Sequence, residues 1–180
     1  MKARDNPFRS ERIDALGYRA EGFDWEALEA RLESFGGRGA IVGPEGHGKT
    51  TLLREWQDRC RAAGHEAVFV KMELGQRRLT SWQREVVATA AWIFLDSAEQ
   101  LGWWGWRELR RLTSAARLLV VTSHRAGRLP TLVRCRTSPQ LLGELVRELS
   151  GEDRECRALW DEHRGNVRHA LRALYDAAAG

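Results

Sequence analysis

Residues 40–56 read AIVGPEGHGKTTLLREW, and this stretch restricts the fold more than any other part of the chain. An apolar run closes on Gly43, a glycine-rich segment follows, and from Lys49 the pattern becomes that of an amphipathic helix. Glycines at 43, 46 and 48 free the backbone for a tight turn between a strand pattern and a helix pattern. Only three of the 29 basic residues are lysines, so the placement of Lys49 here calls for a chemical reason.

Gly43-Pro44-Glu45-Gly46-His47-Gly48-Lys49-Thr50 fits G-x-x-x-x-G-K-[ST], the P-loop or Walker A pattern, in the strand–loop–helix context the pattern requires. Such a loop turns its backbone N–H groups inward onto phosphate oxygens, and the positive end of the following helix adds to the same site. Lys49 is expected to reach the β- and γ-phosphates, and the Thr50 hydroxyl to ligate Mg²⁺, with Thr51 continuing the first helical turn. A broad planar guanidinium is a poor replacement for a compact ammonium inside a tight loop. ATP and Mg²⁺ are therefore the expected cofactors. His47 reads as a variable loop position.

With 180 residues the chain has the length of one ordinary domain, or one with a small appendage. No apolar run approaches the ~18 residues of a membrane span, and the polar N-terminus has no signal-peptide core. Cys60, Cys135 and Cys156 are widely spaced and form no metal-ligand pattern, so they read as reduced thiols of a cytoplasmic protein. The net charge of +4 is mild, and glutamate is interleaved with the arginines; charge alone does not indicate a nucleic-acid surface.

Three segments are expected: an arm over 1–23, an α/β nucleotide-binding core over 24–137, and a helical lid over 138–180. The first dozen residues, with Pro7, read as extended. Trp25, Leu28, Leu32 and Phe35 recur at helical spacing behind Asp24 as N-cap. The strand GAIVG and the helix TTLLREWQDRCRAAG follow. EAVFVKMEL, AWIFLDS, RLLVVTSH and, more weakly, TLVRCR read as further strands, with helices TSWQREVVATA and WRELRRLTSAA between them. Strands alternating with helices over short connections imply a mostly parallel sheet covered on both faces, a three-layer α/β sandwich. After Thr137 the alternation stops. Ser138 can cap a helix with Pro139 at its first position and Leu141, Leu142, Leu145, Val146 and Leu149 on one face. DRECRALWDEHR and VRHALRALYDAA are further helices, divided by Gly165-Asn166.

WIFLDSAEQL ends an apolar strand on Asp96, and in P-loop enzymes a strand beside the loop delivers such an aspartate to the Mg²⁺ shell. At this point the chain resembles the AAA+ and related P-loop ATPases over residues 35–178. The resemblance implies slow MgATP hydrolysis coupled to a conformational change. In that family the strand ends in Asp-Glu, the glutamate activating water; here Ser97 stands after Asp96, and Glu99 or Glu73 is left to orient the water, Glu99 being preferred. The resemblance further makes Thr122 and Ser123 the polar sensors of the γ-phosphate, and Arg125 or Arg128 a candidate arginine finger. GNVRHALRALYD is similar to the lid helix of the initiator and clamp-loader branch, which places the second sensor at Arg168. Tyr18 and Arg19 are candidates for flanking the adenine.

LGWWGWRELRRL contains three tryptophans. Trp103 and Trp106 share helical spacing with Leu109 and are expected in the core, whereas Trp104 is expected at the surface beside Arg107 and Arg111. Three functions fit these readings: an ATPase switch acting on a protein partner, a small nucleoside or metabolite kinase, and a nucleotide-binding module without hydrolysis. A nucleic-acid partner stays open.

Overall fold

The structure, a computed structural model, describes residues 6–20 and 22–179. Residues 1–5 and 21 of the expected arm, and residue 180 of the expected lid, lie outside the described residues. The described chain divides into two compact units.

One unit comprises residues 24–43 and 52–134. It holds five strands, β1 (Arg38–Val42), β2 (Ala67–Lys71), β3 (Trp92–Asp96), β4 (Leu118–Ser123) and β5 (Thr131–Arg134). They form a single sheet in the order β2-β3-β4-β1-β5, and every pairing is parallel. β1, β3 and β4 are buried on both sides because helices cover both faces, while the edge strands β2 and β5 are only partly buried. Alternation within each strand assigns those faces. Ala40 and Val42, Ile93 and Leu95, and Leu119 and Val121 join one cluster with Val87 of α4 (Ser81–Thr89) and Trp106 and Leu109 of α5 (Trp103–Leu112). Phe94 lies on the other side, edge-on to Trp56 of α3 (Lys49–Ala62), which in turn meets Trp25 of α2 (Trp25–Ser34).

Strand order explains the layering. The step from β1 to β2 moves one way across the sheet, and the steps β2 to β3 to β4 move back. Right-handed crossovers then place α3 on one face and α4 and α5 on the other. The edges of β1 are set by close approach: a methyl group on Gly39 would enter Leu132, and one on Gly37, whose φ is +75°, would meet the Arg117 carbonyl.

Local chemistry fixes the ends of the helices. Asp24 accepts from the N–H groups of Glu26 and Ala27, and Thr80 and Gln83 close a reciprocal capping box at α4. β2 stops at Lys71, earlier than its apolar run implies: Met72 is still buried, but Leu74 is 93% exposed. α5 starts at Trp103, earlier than expected, because Gly102 is extended and its N–H bonds to the Arg77 carbonyl.

The expectation for Trp103 is corrected here. Trp106 and Leu109 are buried, but Trp103 is 56% exposed. It is the first residue of α5, where the side chain leans toward the N-terminus and past the packed face.

The other unit joins residues 1–23, 44–51 and 135–180. The arm is not wholly extended: α1 (Ser10–Asp14) forms, and Phe8, Ile13 and Leu16 provide an apolar set. These pack with Leu142, Leu145, Val146 and Leu149 of α6 (Pro139–Ser150) and with Val167, Leu171 and Leu174 of α8 (Val167–Ala179). The short α7 (Arg157–Glu162) lies between the two in sequence. Asn6 fastens the arm, its amide donating to the carbonyl of Tyr175 at 2.8 Å.

Candidate functional site

The glycine-rich segment leaves the carboxyl end of β1, where Gly43 N–H donates to the Ser123 carbonyl at 3.2 Å. Gly46 and Gly48 have φ of +75° and +80°, a region that other residues enter only at a cost, so the loop conformation itself requires glycine at both positions. Their neighbours require it too. A methyl group on Gly46 would collide with the Asn166 carboxamide, and one on Gly48 would sit 3.3 Å from the Tyr18 ring.

Asn166 therefore has two tasks, since its Oδ1 also accepts from the His169 N–H at 3.0 Å and caps α8. Pro44 and Glu45 are exposed, and His47 Nδ1 lies 2.9 Å from the Glu45 carbonyl. A carbonyl only accepts, so that ring nitrogen carries the proton. Lys49 is 8% exposed, and its Nζ donates to the Pro44 carbonyl at 2.7 Å, closing the loop on itself. Thr50 and Thr51 lie in the first turn of α3 and are partly buried.

Cys135, which sequence reasoning passed over as an ordinary thiol, belongs to this surrounding. The Tyr18 hydroxyl donates to its sulfur at 3.6 Å. Burial pushes the Cys135 thiol upward, with the Tyr18 hydrogen bond and the Lys49 charge acting the other way. Burial, and then Cys135, likewise raises the Tyr18 phenol. Arg19 forms an ion pair with Glu148 of α6.

At the carboxyl edge of the sheet, β3 and β4 form a second group. Asp96 is 3% exposed, and its Oδ1 accepts from Thr122 Oγ1 at 2.6 Å. The same hydroxyl accepts from Ser97 N–H at 2.8 Å, so Thr122 is used as both donor and acceptor. Ser97 sits at φ 60°, ψ 43°, a left-handed conformation that turns the chain sharply after Asp96. Asp96 and Thr122 lie on the Phe94 and Val120 side of their strands, the face that Trp56 covers. The strand bearing Asp96 is not next to β1; β4 lies between them. Ser123 Oγ turns away, donating to the Arg125 carbonyl at 2.9 Å.

The two carboxylates left open by the sequence are in different surroundings. Glu73 is exposed beyond β2, 3.8 Å from Lys71. Glu99 follows Asp96 in a 3-10 turn, with Oε1 3.6 Å from His124 Nε2. Its Oε2 is buried and has no hydrogen-bond partner among the described residues. No sequence signal singled out His124.

Arg128 lies 5.7 Å over the Trp106 ring, while Arg125 is exposed. In α8, Val167, Leu171 and Leu174 are buried and Arg168 is exposed. Among the described residues no cluster of three or more His, Cys, Asp or Glu could hold a metal, and no helix is long and apolar enough to cross a membrane.

No protein-family model and no curated protein matches this chain.

Proposed function

We propose that this chain is a small P-loop ATPase of AAA+ type, which binds MgATP, hydrolyses it slowly and uses nucleotide state as a switch for a protein partner in the cytoplasm. The observation that carries the reading is the loop from Gly43 to Thr50. It leaves a parallel strand and enters a helix, needs glycine at two left-handed positions, and holds a nearly buried lysine whose Nζ turns back on the loop. Backbone N–H groups in such a loop fit phosphate oxygens, and the lysine ammonium would exchange the Pro44 carbonyl for them.

In this reading the resemblance makes Thr50 and Asp96 the residues that would ligate Mg²⁺, and the ion would neutralise charge on the phosphates. Thr122 holds Asp96 in place through a short charge-assisted bond. Glu99 orients the water. Its buried oxygen has no partner among the described residues and is available to accept a proton-bearing ligand, whereas Glu73 stays in solvent. The resemblance assigns the γ-phosphate sensors to Ser123, whose Oγ would first have to release the Arg125 carbonyl, and to Arg168, which is exposed on α8. The contact of Gly46 with Asn166 gives the loop a path to α8, since a shift of the loop must move the residue that caps the helix.

A second reading, a module that binds nucleotide without hydrolysing it, is favoured by one observation. The residue after Asp96 is Ser97, whose N–H is given to Thr122 and which has no carboxylate to offer. A small-molecule kinase remains the reading from another enzyme class.

The test is calorimetric titration of MgATP into the parent protein and Lys49→Ala, with phosphate release followed for parent, Glu99→Gln and Glu73→Gln. Most of the affinity should be lost with Lys49, and turnover should be lost with Glu99 but not with Glu73. Undiminished binding in Lys49→Ala overturns the nucleotide site. Tight binding with no phosphate release from the parent selects the second reading.

A further inference from the structure

On the α4–α5 face of the sheet, a cavity of about 250 Å³ is lined by Arg78, Trp104, Arg107, Glu108 and Arg111. The four residues from α5 fall at positions 104, 107, 108 and 111, one stripe of a helix. Arg78 comes from the loop that leads into α4. Arg77, in the same loop, lays its guanidinium against Gly102 at the start of α5, which adds another positive charge at that end.

The only carboxylate in the cavity is compensated, because Glu108 Oε1 is paired with Arg84 of α4 at 2.9 Å. Its Oε2 is buried with no hydrogen-bond partner among the described residues, leaving an acceptor without a donor. Trp104 is 61% exposed and meets the ring of Trp103, itself exposed, edge-on at 4.4 Å. Trp106, three residues along, is buried and supplies the core contact of this helix. The two outer indoles therefore add little to the fold.

We propose that this cleft binds single-stranded nucleic acid, with phosphates on Arg78, Arg107 and Arg111 and an unstacked base on Trp104. Each component answers one part of that ligand. Three arginines track a phosphate backbone, and an exposed indole offers a face to a base. A simple polyanion would use only the arginines. An acidic peptide would leave the indole face without a planar partner. Duplex DNA keeps its bases stacked and out of reach of Trp104. The inference does not rest on the ATPase reading.

The test is fluorescence anisotropy of the full chain with a labelled single-stranded oligonucleotide of mixed sequence, measured across a salt series. The expected slope of log K against log salt is about −2, from about −0.7 for each of three phosphates. Arg107→Gln/Arg111→Gln should reduce that slope to about −0.7. Trp104→Ala should weaken binding about tenfold at every salt concentration with little change in slope, and Trp104→Phe should restore most of it. Arg147→Gln, an exposed arginine of α6, should behave as the parent. No binding at low salt, equal binding of duplex, displacement by polyglutamate as effective as by oligonucleotide, or an unchanged affinity in Trp104→Ala would each overturn the proposal. All three α5 variants alter exposed side chains, and circular dichroism of each checks that the fold is retained.

Discussion

Replacing Gly46 by alanine tests whether Asn166 couples the loop to α8. Two costs are expected. At φ +75° an alanine is held in the left-handed region, which costs about 1–2 kcal/mol. The new methyl group also occupies the space of the Asn166 carboxamide, so that side chain must swing away and give up its bond to the His169 N–H. Losing an asparagine N-cap costs about 1 kcal/mol. Gly46→Ala should therefore destabilise by about 2–3 kcal/mol, and Asn166→Ala by about 1 kcal/mol.

The double variant provides the decisive comparison. With the carboxamide already removed, the methyl group has nothing to displace, so the double variant should cost about as much as Gly46→Ala alone. The sum of the single effects would overstate it by about 1 kcal/mol. Urea unfolding followed by circular dichroism, with equal slopes for all four proteins, measures this difference. Strict additivity would show that the loop and the α8 cap are independent, and the proposed path from nucleotide to α8 would lose its physical basis.

Three further outcomes are expected. Thr122→Val should destabilise by about 2–4 kcal/mol, because it leaves the Asp96 carboxylate and the Ser97 N–H without the hydroxyl that serves both, whereas Thr122→Ser keeps the bonds; chemical unfolding of the three proteins checks this. Burial pushes Cys60 up to about 11 from an ordinary 9.0, and Cys135 and Cys156 move in the same direction. All three thiols should resist iodoacetamide at neutral pH until the chain is unfolded. The Cys60 contribution to stability is fully present below pH 9 and is lost as pH rises through about 11, since only the unfolded thiol ionises in that window.

The sheet was legible in the sequence because each strand is an apolar run ended by a polar or glycine residue, and the sharp loop after β1 because its glycines at 46 and 48 mark positive-φ positions. The end of β2 was not legible, since Met72 is apolar and buried although the strand has already stopped. Trp103 misled because helical spacing assigns a face but not how far along the helix that face stays covered. The contacts of Tyr18 with Gly48 and of Gly46 with Asn166 join residues far apart in the chain. No local pattern announces such partners. The sequence preferred Glu99 to Glu73 on position alone; that Glu99 is partly buried and Glu73 exposed no local pattern announces.

The unit that holds the loop is assembled from three separated pieces of chain, 1–23, 44–51 and 135–180. This has a consequence for biosynthesis. On the ribosome the strands of the sheet emerge in order, and β1 to β4 can pair before α6 exists. The loop cannot acquire its Asn166 neighbour, nor the arm its anchor on Tyr175, until the segment bearing those residues has left the exit tunnel. Contacts of such large sequence separation form late and slowly. A nascent chain halted before α8 would carry every residue of the glycine-rich loop and still lack Asn166 beside Gly46, so the loop's final conformation should appear as a late event in the maturation of this region.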